Sequence, residues 1–112
     1  MKHLEETVKL LNHIHENPDS TQRELVGKLG FSLGKVNYLI QVLTTKGIIK
    51  LKRFRNSSNK IGYMYLLTPS GIKQKTEITG MFLKQKMEEF DRLQEEIQLL
   101  TSKLDNSGED QS

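Results

Sequence analysis

Cysteine is absent from all 112 residues, which removes disulfides, thiolate zinc sites, iron–sulfur clusters and thiol redox sensing together. Apolar runs extend only a few residues, so no segment is expected to span a bilayer. The opening MKHLEETVKLLNHIHENP carries charges throughout and lacks the apolar core and small-residue cleavage site of a secretion signal. The expected location is the cytoplasm. His3, His13 and His15 are the only histidines. On a helix, residues 13 and 15 fall on different faces, whereas a metal pair needs i,i+3 or i,i+4 spacing, so all three are expected as surface histidines. A phosphate-binding glycine loop, a nucleophile motif and an internal repeat are also missing. Glu88/Glu89 and Glu95/Glu96 read as the solvated flank of a helix rather than as catalytic carboxylates. Neither an enzyme nor a cofactor is expected.

What is present is a charge division. The formal net charge is +3, yet residues 1–75 hold 13 Lys/Arg against 5 Asp/Glu, and residues 76–112 hold 4 against 9. Within 21–75 the count sharpens to 11 basic residues against one acid, Glu24. A compact segment of that sign attracts polyanions, and non-specific nucleic-acid affinity is largely this electrostatic effect. A solvated basic face without a partner has the same composition. The acidic C-terminal part cannot share that surface.

The hydrophobic pattern gives the element order. Leu4, Val8, Leu11 and Ile14, widened by Leu10, mark an amphipathic helix over 3–17. Asn17-Pro18-Asp19 stops it, because the residue before proline is pushed out of the α region. Thr21 with Glu24 forms a capping box for a short helix that buries Leu25, Val26 and Leu29. Gly30 closes that helix, and Ser32 caps a third in which Val36, Ile40 and Leu43 recur at +4 and +3. Lys46-Gly47 ends it. The period then changes: Ile48–Arg55 and Ile61–Leu67 read as strands around the turn residues Asn56, Ser57, Ser58, Asn59 and Lys60. Thr68-Pro69 starts a last helix, free of proline to Leu104.

That last helix has a heptad seam. Steps of +4 and +3 from Ile72 give Thr76, Thr79, Leu83, Lys86, Phe90, Leu93, Ile97, Leu100 and Leu104. Phe82 and Met87 flank it, and Gly80 is the expected place for a bend. A second copy of the chain fits the sustained 3.5-residue period better than folding back on the basic segment. Dimerisation is therefore expected through Leu83, Phe90, Leu93, Ile97, Leu100 and Leu104. The expected organisation is a basic domain over 1–70, a dimerisation helix over 71–104 and a disordered tail over 105–112.

Helix–turn–helix followed by a hairpin is the order of a winged helix, an α+β, mainly helical fold. Such a unit places its second helix in the major groove and its wing along the backbone or in the minor groove. With Val36, Ile40 and Leu43 in the core, Ser32, Lys35, Asn37, Tyr38, Gln41 and Thr45 point largely away from it. Asn and Gln can pair with adenine, and lysine reaches guanine or phosphate. Gly34 leaves the front of the helix bare. Thr21, Gln22 and Arg23 open the preceding helix and join the expected contact set. The wing adds Arg53, Arg55 and its tip residues Asn56 to Lys60.

The run from 21 to 90 resembles the exopolysaccharide-associated MarR-type winged-helix regulators of bacteria. The resemblance is carried by SLGKVNYLI at 32–40, KGIIK at 46–50, FRNSSNK at 54–60, YLLTPSGI at 65–72 and FLKQKMEEF at 82–90. It implies sequence-specific binding of double-stranded DNA by a transcription regulator, with genes near polysaccharide-synthesis clusters as targets. It defines no effector. The larger MarR fold surrounds its DNA-binding lobe with more helices than this chain supplies. The competing readings are a protein-interaction adaptor built on the same scaffold and an RNA binder. The second lacks an aromatic platform beyond Tyr38.

Overall fold

The computed structural model describes residues 3–55, 57, 58 and 61–110. It contains α1 (Leu4–Glu16), α2 (Gln22–Leu29), α3 (Leu33–Thr45), β1 (Ile49–Arg55), β2 (Ile61–Leu67) and α4 (Pro69–Asp110). The chain divides into two compact units, Met1–Thr79 and Gly80–Ser112.

In the first unit, the caps read from the sequence are in place. Thr21 Oγ1 accepts the Glu24 N–H at 3.1 Å, and Ser32 Oγ accepts the Lys35 N–H at 3.1 Å. Gly30 and Gly47 take the left-handed conformation, with φ of 70° and 72°. After α3 the Gly47 N–H donates to Thr44 O and the Ile48 N–H to Leu43 O, the paired bonds of a Schellman ending. The chain thereby leaves α3 directly into β1.

The core joins Leu4, Val8, Leu10, Leu11 and Ile14 of α1 to Leu25 of α2 and to Val36, Leu39, Ile40 and Leu43 of α3. Ile48, Ile49 and Ile78 complete it. Val26 and Leu29 are only half-buried, because an eight-residue helix directs one narrow stripe, centred on Leu25, at its neighbours. His3 and His13 are half-buried rather than surface residues. The His13 ring contacts Ser20 Oγ at 3.3 Å, and His3 packs edge-on against Tyr38.

The hairpin is antiparallel, with Ile49 opposite Leu67, Leu51 opposite Tyr65, Arg53 opposite Tyr63 and Arg55 opposite Ile61. These pairs share one face; Lys50, Lys52 and Phe54 share the other with Leu66, Met64 and Gly62. Phe54 lies over Gly62, where an added Cβ would come within 2.8 Å of its ring. Thr68 fastens the hairpin's return: its N–H donates to Ile48 O at 3.0 Å, and its Oγ1 accepts the Gly71 N–H at 2.9 Å.

The first unit reaches Thr79 rather than ending at residue 70, because Gly71 and Ile78 of α4 are buried in it. Their face of α4 lies beside the seam positions Ile72 and Thr76, which are exposed. In the second unit the chain is helical from Gly80 to Asp110. Residues 105–110 are therefore helical, not a disordered tail. No proline follows Leu104, and extending an existing helix avoids the nucleation cost. Among the described residues no helix is long and apolar enough to cross a membrane.

Candidate nucleic-acid interface

Helix α3 buries the stripe Val36, Leu39, Ile40 and Leu43, and its 3.6-residue period fixes what faces outward. Asn37, Gln41 and Thr45 are exposed, Tyr38 is about half-exposed at 52%, and Gly34 has nothing within 4 Å of where a Cβ would stand. The five residues form one continuous outward surface two turns and more in length. Ser32 is exposed at the helix start, with its hydroxyl oxygen committed to the cap.

Lys35 differs from the expectation. It is half-buried on the flank of α3, and its ammonium donates to Glu6 Oε1 of α1 at 3.2 Å. The Glu6 carboxyl is held below the ordinary carboxylate range, first by its own backbone N–H and then by Lys35. Lys35 therefore reaches a phosphate only by sharing or leaving Glu6. The outward face of α3 is lined on this flank by a lysine–glutamate pair rather than by a free cation.

Thr21 and Arg23 are exposed, and Gln22 is half-buried, at the start of α2. Thr21 and Gln22 line a groove of about 320 Å³ with Gly62, Tyr63 and Tyr65 of β2. The fold thus brings the start of α2 beside the wing strand. Partial burial pushes the Tyr65 phenol above its ordinary value. Sequence reasoning missed Tyr63 and Tyr65. Their alternation in β2 was the available signal, but only the strand register shows that Tyr63 lies opposite Arg53.

On the wing, Lys50, Lys52, Arg53 and Arg55 are exposed. Lys50, Lys52 and Arg53 form no ion pair among the described residues. Arg53 and Arg55 share a face with the exposed Leu51, Ile61 and Tyr63, so cations alternate with apolar groups along it. Ser57 and Ser58 are exposed at the turn. Asn56, Asn59 and Lys60 lie outside the described residues. No group of His, Asp and Glu able to hold a metal occurs among the described residues.

Residues 7–50 match a family described as winged helix-turn-helix DNA-binding. No match was found among curated proteins. The solved structure of Streptococcus pneumoniae FabT in complex with DNA is similar, with a TM-score of 0.51 and 24% sequence identity over 90% of this chain and 70% of that one. Element order, the antiparallel hairpin and these likenesses converge on one architecture: the chain adopts a winged helix-turn-helix fold with a long C-terminal helix.

Proposed function

We propose that this chain is a sequence-specific transcription regulator that binds double-stranded DNA. The observation that carries the reading is the outward surface of α3. It presents Asn37, Tyr38, Gln41 and Thr45 beside the bare Gly34, with the exposed Leu33 one turn before Asn37 at its N-terminal edge. A helix with this face fits the major groove, where amide side chains read adenine and a glycine permits close approach of the backbone. The wing supplies Lys50, Lys52, Arg53 and Arg55 for phosphates. The FabT structure was solved with DNA, which supports the same partner for a chain of the same fold.

The regulator acts as a homodimer on a pseudo-palindromic site, its two copies joined by the seam of α4. Leu83, Phe90, Leu93, Ile97, Leu100 and Leu104 all stand more than half exposed, a stripe that water disfavours and a second helix would cover. Its targets lie near exopolysaccharide gene clusters, a reading that rests on the resemblance of residues 21–90. Titration of a labelled random-sequence duplex tests the DNA reading. Affinity should fall about 10³-fold or more between 50 and 200 mM salt if a dimer neutralises six or more phosphates. A flat salt response would exclude it.

A further inference from the structure

We propose that the seam of α4 is closed by a second copy of this chain running antiparallel, with Phe90 packed on Leu100 and Leu93 on Ile97. The inference rests on the dimer reading above and adds the direction and register of the partner. It follows from what each arrangement does with Lys86, Glu89 and Lys103.

The seam places Leu83, Phe90, Ile97 and Leu104 at one core position of the heptad and Lys86, Leu93 and Leu100 at the other. In a parallel pair each residue meets its own copy, so Lys86 would face Lys86 inside the interface. The flanking pairs would be Glu89 with Gln94, Glu96 with Thr101 and Lys103 with Gly108, none of them attractive between charges. An antiparallel pair instead sets each core position against the other type. Centred between Leu93 and Ile97, it aligns Phe90 with Leu100, Leu93 with Ile97 and Lys86 with Leu104. The two lysines are then at opposite ends of the interface.

The flanks favour the same arrangement. Glu89 of each copy faces Lys103 of the other, giving two opposite-charge pairs, while Glu96 meets its own copy once. Slipping one heptad toward the N-terminus places Lys86 against Ile97 and Glu89 against Glu96 twice. A slip the other way retains an attraction, Glu96 with Lys103, but sets Phe90 against Ser107 and loses an apolar layer. Lys86 is already turned off the seam. Its ammonium lies 3.1 Å from Glu89 Oε2 and 5.2 Å from the Phe82 ring centroid, both on one flank. Its stem can thus cover Leu104 of the second copy while its charge stays in water.

Because the chain has no cysteine, an introduced thiol is unique. Leu93→Cys and Ile97→Cys proteins, each checked for helicity, should form a covalent dimer on mild oxidation when mixed and not when alone, since a disulfide requires Cβ atoms within about 4.5 Å. In sedimentation, Lys103→Glu should weaken the dimer about tenfold, as each dimer carries two such pairs, and adding Glu89→Lys should restore it. A protein that dimerises but crosslinks through Ile97→Cys alone overturns the antiparallel arrangement and leaves the dimer reading intact. A parent chain that sediments as a monomer at every concentration removes both.

Discussion

Gly71→Ala tests how the wing is fastened to the rest of the first unit. A Cβ on Gly71 would run into the carbonyl oxygen of Ile48, a backbone atom that no rotamer change can move. That oxygen accepts the Thr68 N–H at 3.0 Å and lies 3.2 Å from Thr68 Oγ1, while the Gly71 N–H donates to the same hydroxyl at 2.9 Å. To relieve the overlap the start of α4 must lift away from the link between α3 and β1, giving up at least two of these bonds at about 1 kcal/mol each. Overpacking against backbone adds about 1–3 kcal/mol. A total of roughly 3–5 kcal/mol in a unit this small corresponds to a fall in Tm of about 15 °C or more. Tyr38, Tyr63 and Tyr65 are the only tyrosines and tryptophan is absent, so tyrosine fluorescence reports this unit alone. Gly27→Ala is the control, since Gly27 sits in α2 with open space around it and should gain about 0.5–1 kcal/mol. A Gly71→Ala protein melting within about 2 °C of the parent would refute the packing argument.

Three further outcomes concern the surface proposed to face DNA. Asn37→Ala and Gln41→Ala should each cost about 1–3 kcal/mol at a selected site and little on random duplex, measured by anisotropy at one salt concentration. Equal losses on both duplexes would reduce α3 to a backbone anchor. Arg53→Ala should weaken binding to every duplex by a similar factor and flatten the salt slope by about one unit per protomer contact. Glu6→Gln should raise affinity for all duplexes by about two- to fivefold, because Lys35 is released from a half-buried ion pair. The same change removes a carboxylate whose folded pKa is lowered. Its stabilisation is present above the ordinary carboxylate value and disappears as pH falls through the lowered one. Urea melts should therefore separate parent from variant at pH 7 and converge in acid.

The elements of the first unit were legible because their signals are local. Thr21, Ser32, Gly30, Gly47 and Thr68 each cap a helix end through backbone groups within a few residues, and all five do so in the structure as their positions implied. The hydrophobic period likewise identified the buried stripe of α3, missing only Leu39. It failed at the start of α4. There the heptad seam selected Ile72 and Thr76, while the first unit buries Gly71 and Ile78. The start of α4 packs on the first unit through one face while the heptad period follows another, and a single period can describe only one of them. The helical ending at 105–110 was hidden for a different reason. Polar composition tells how little a segment can bury, and says nothing against extending a helix already formed.

The candidate interface was legible as a set of exposed residues and not as a set of partnerships. The outward position of Asn37, Tyr38 and Gln41 follows from the spacing of Val36, Ile40 and Leu43, so one period determines both faces. Lys35 obeys the same geometry, yet its charge is answered by Glu6, 29 residues earlier in the chain. No helical spacing rule reaches that far; the pair exists because α1 packs against α3. Tyr63 and Arg53 come together in the same way, through a strand register fixed by Ile49 and Leu67 at the hairpin's base. The composition of residues 21–75 supplied the excess of positive charge, but the fold decides where it is free to act. It leaves Lys50, Lys52 and Arg53 without an ion pair among the described residues while engaging Lys35. The proposed function therefore assigns non-specific attraction to the wing and the reading of bases to the uncharged face of α3, where a side chain can meet a base edge without first breaking an ion pair.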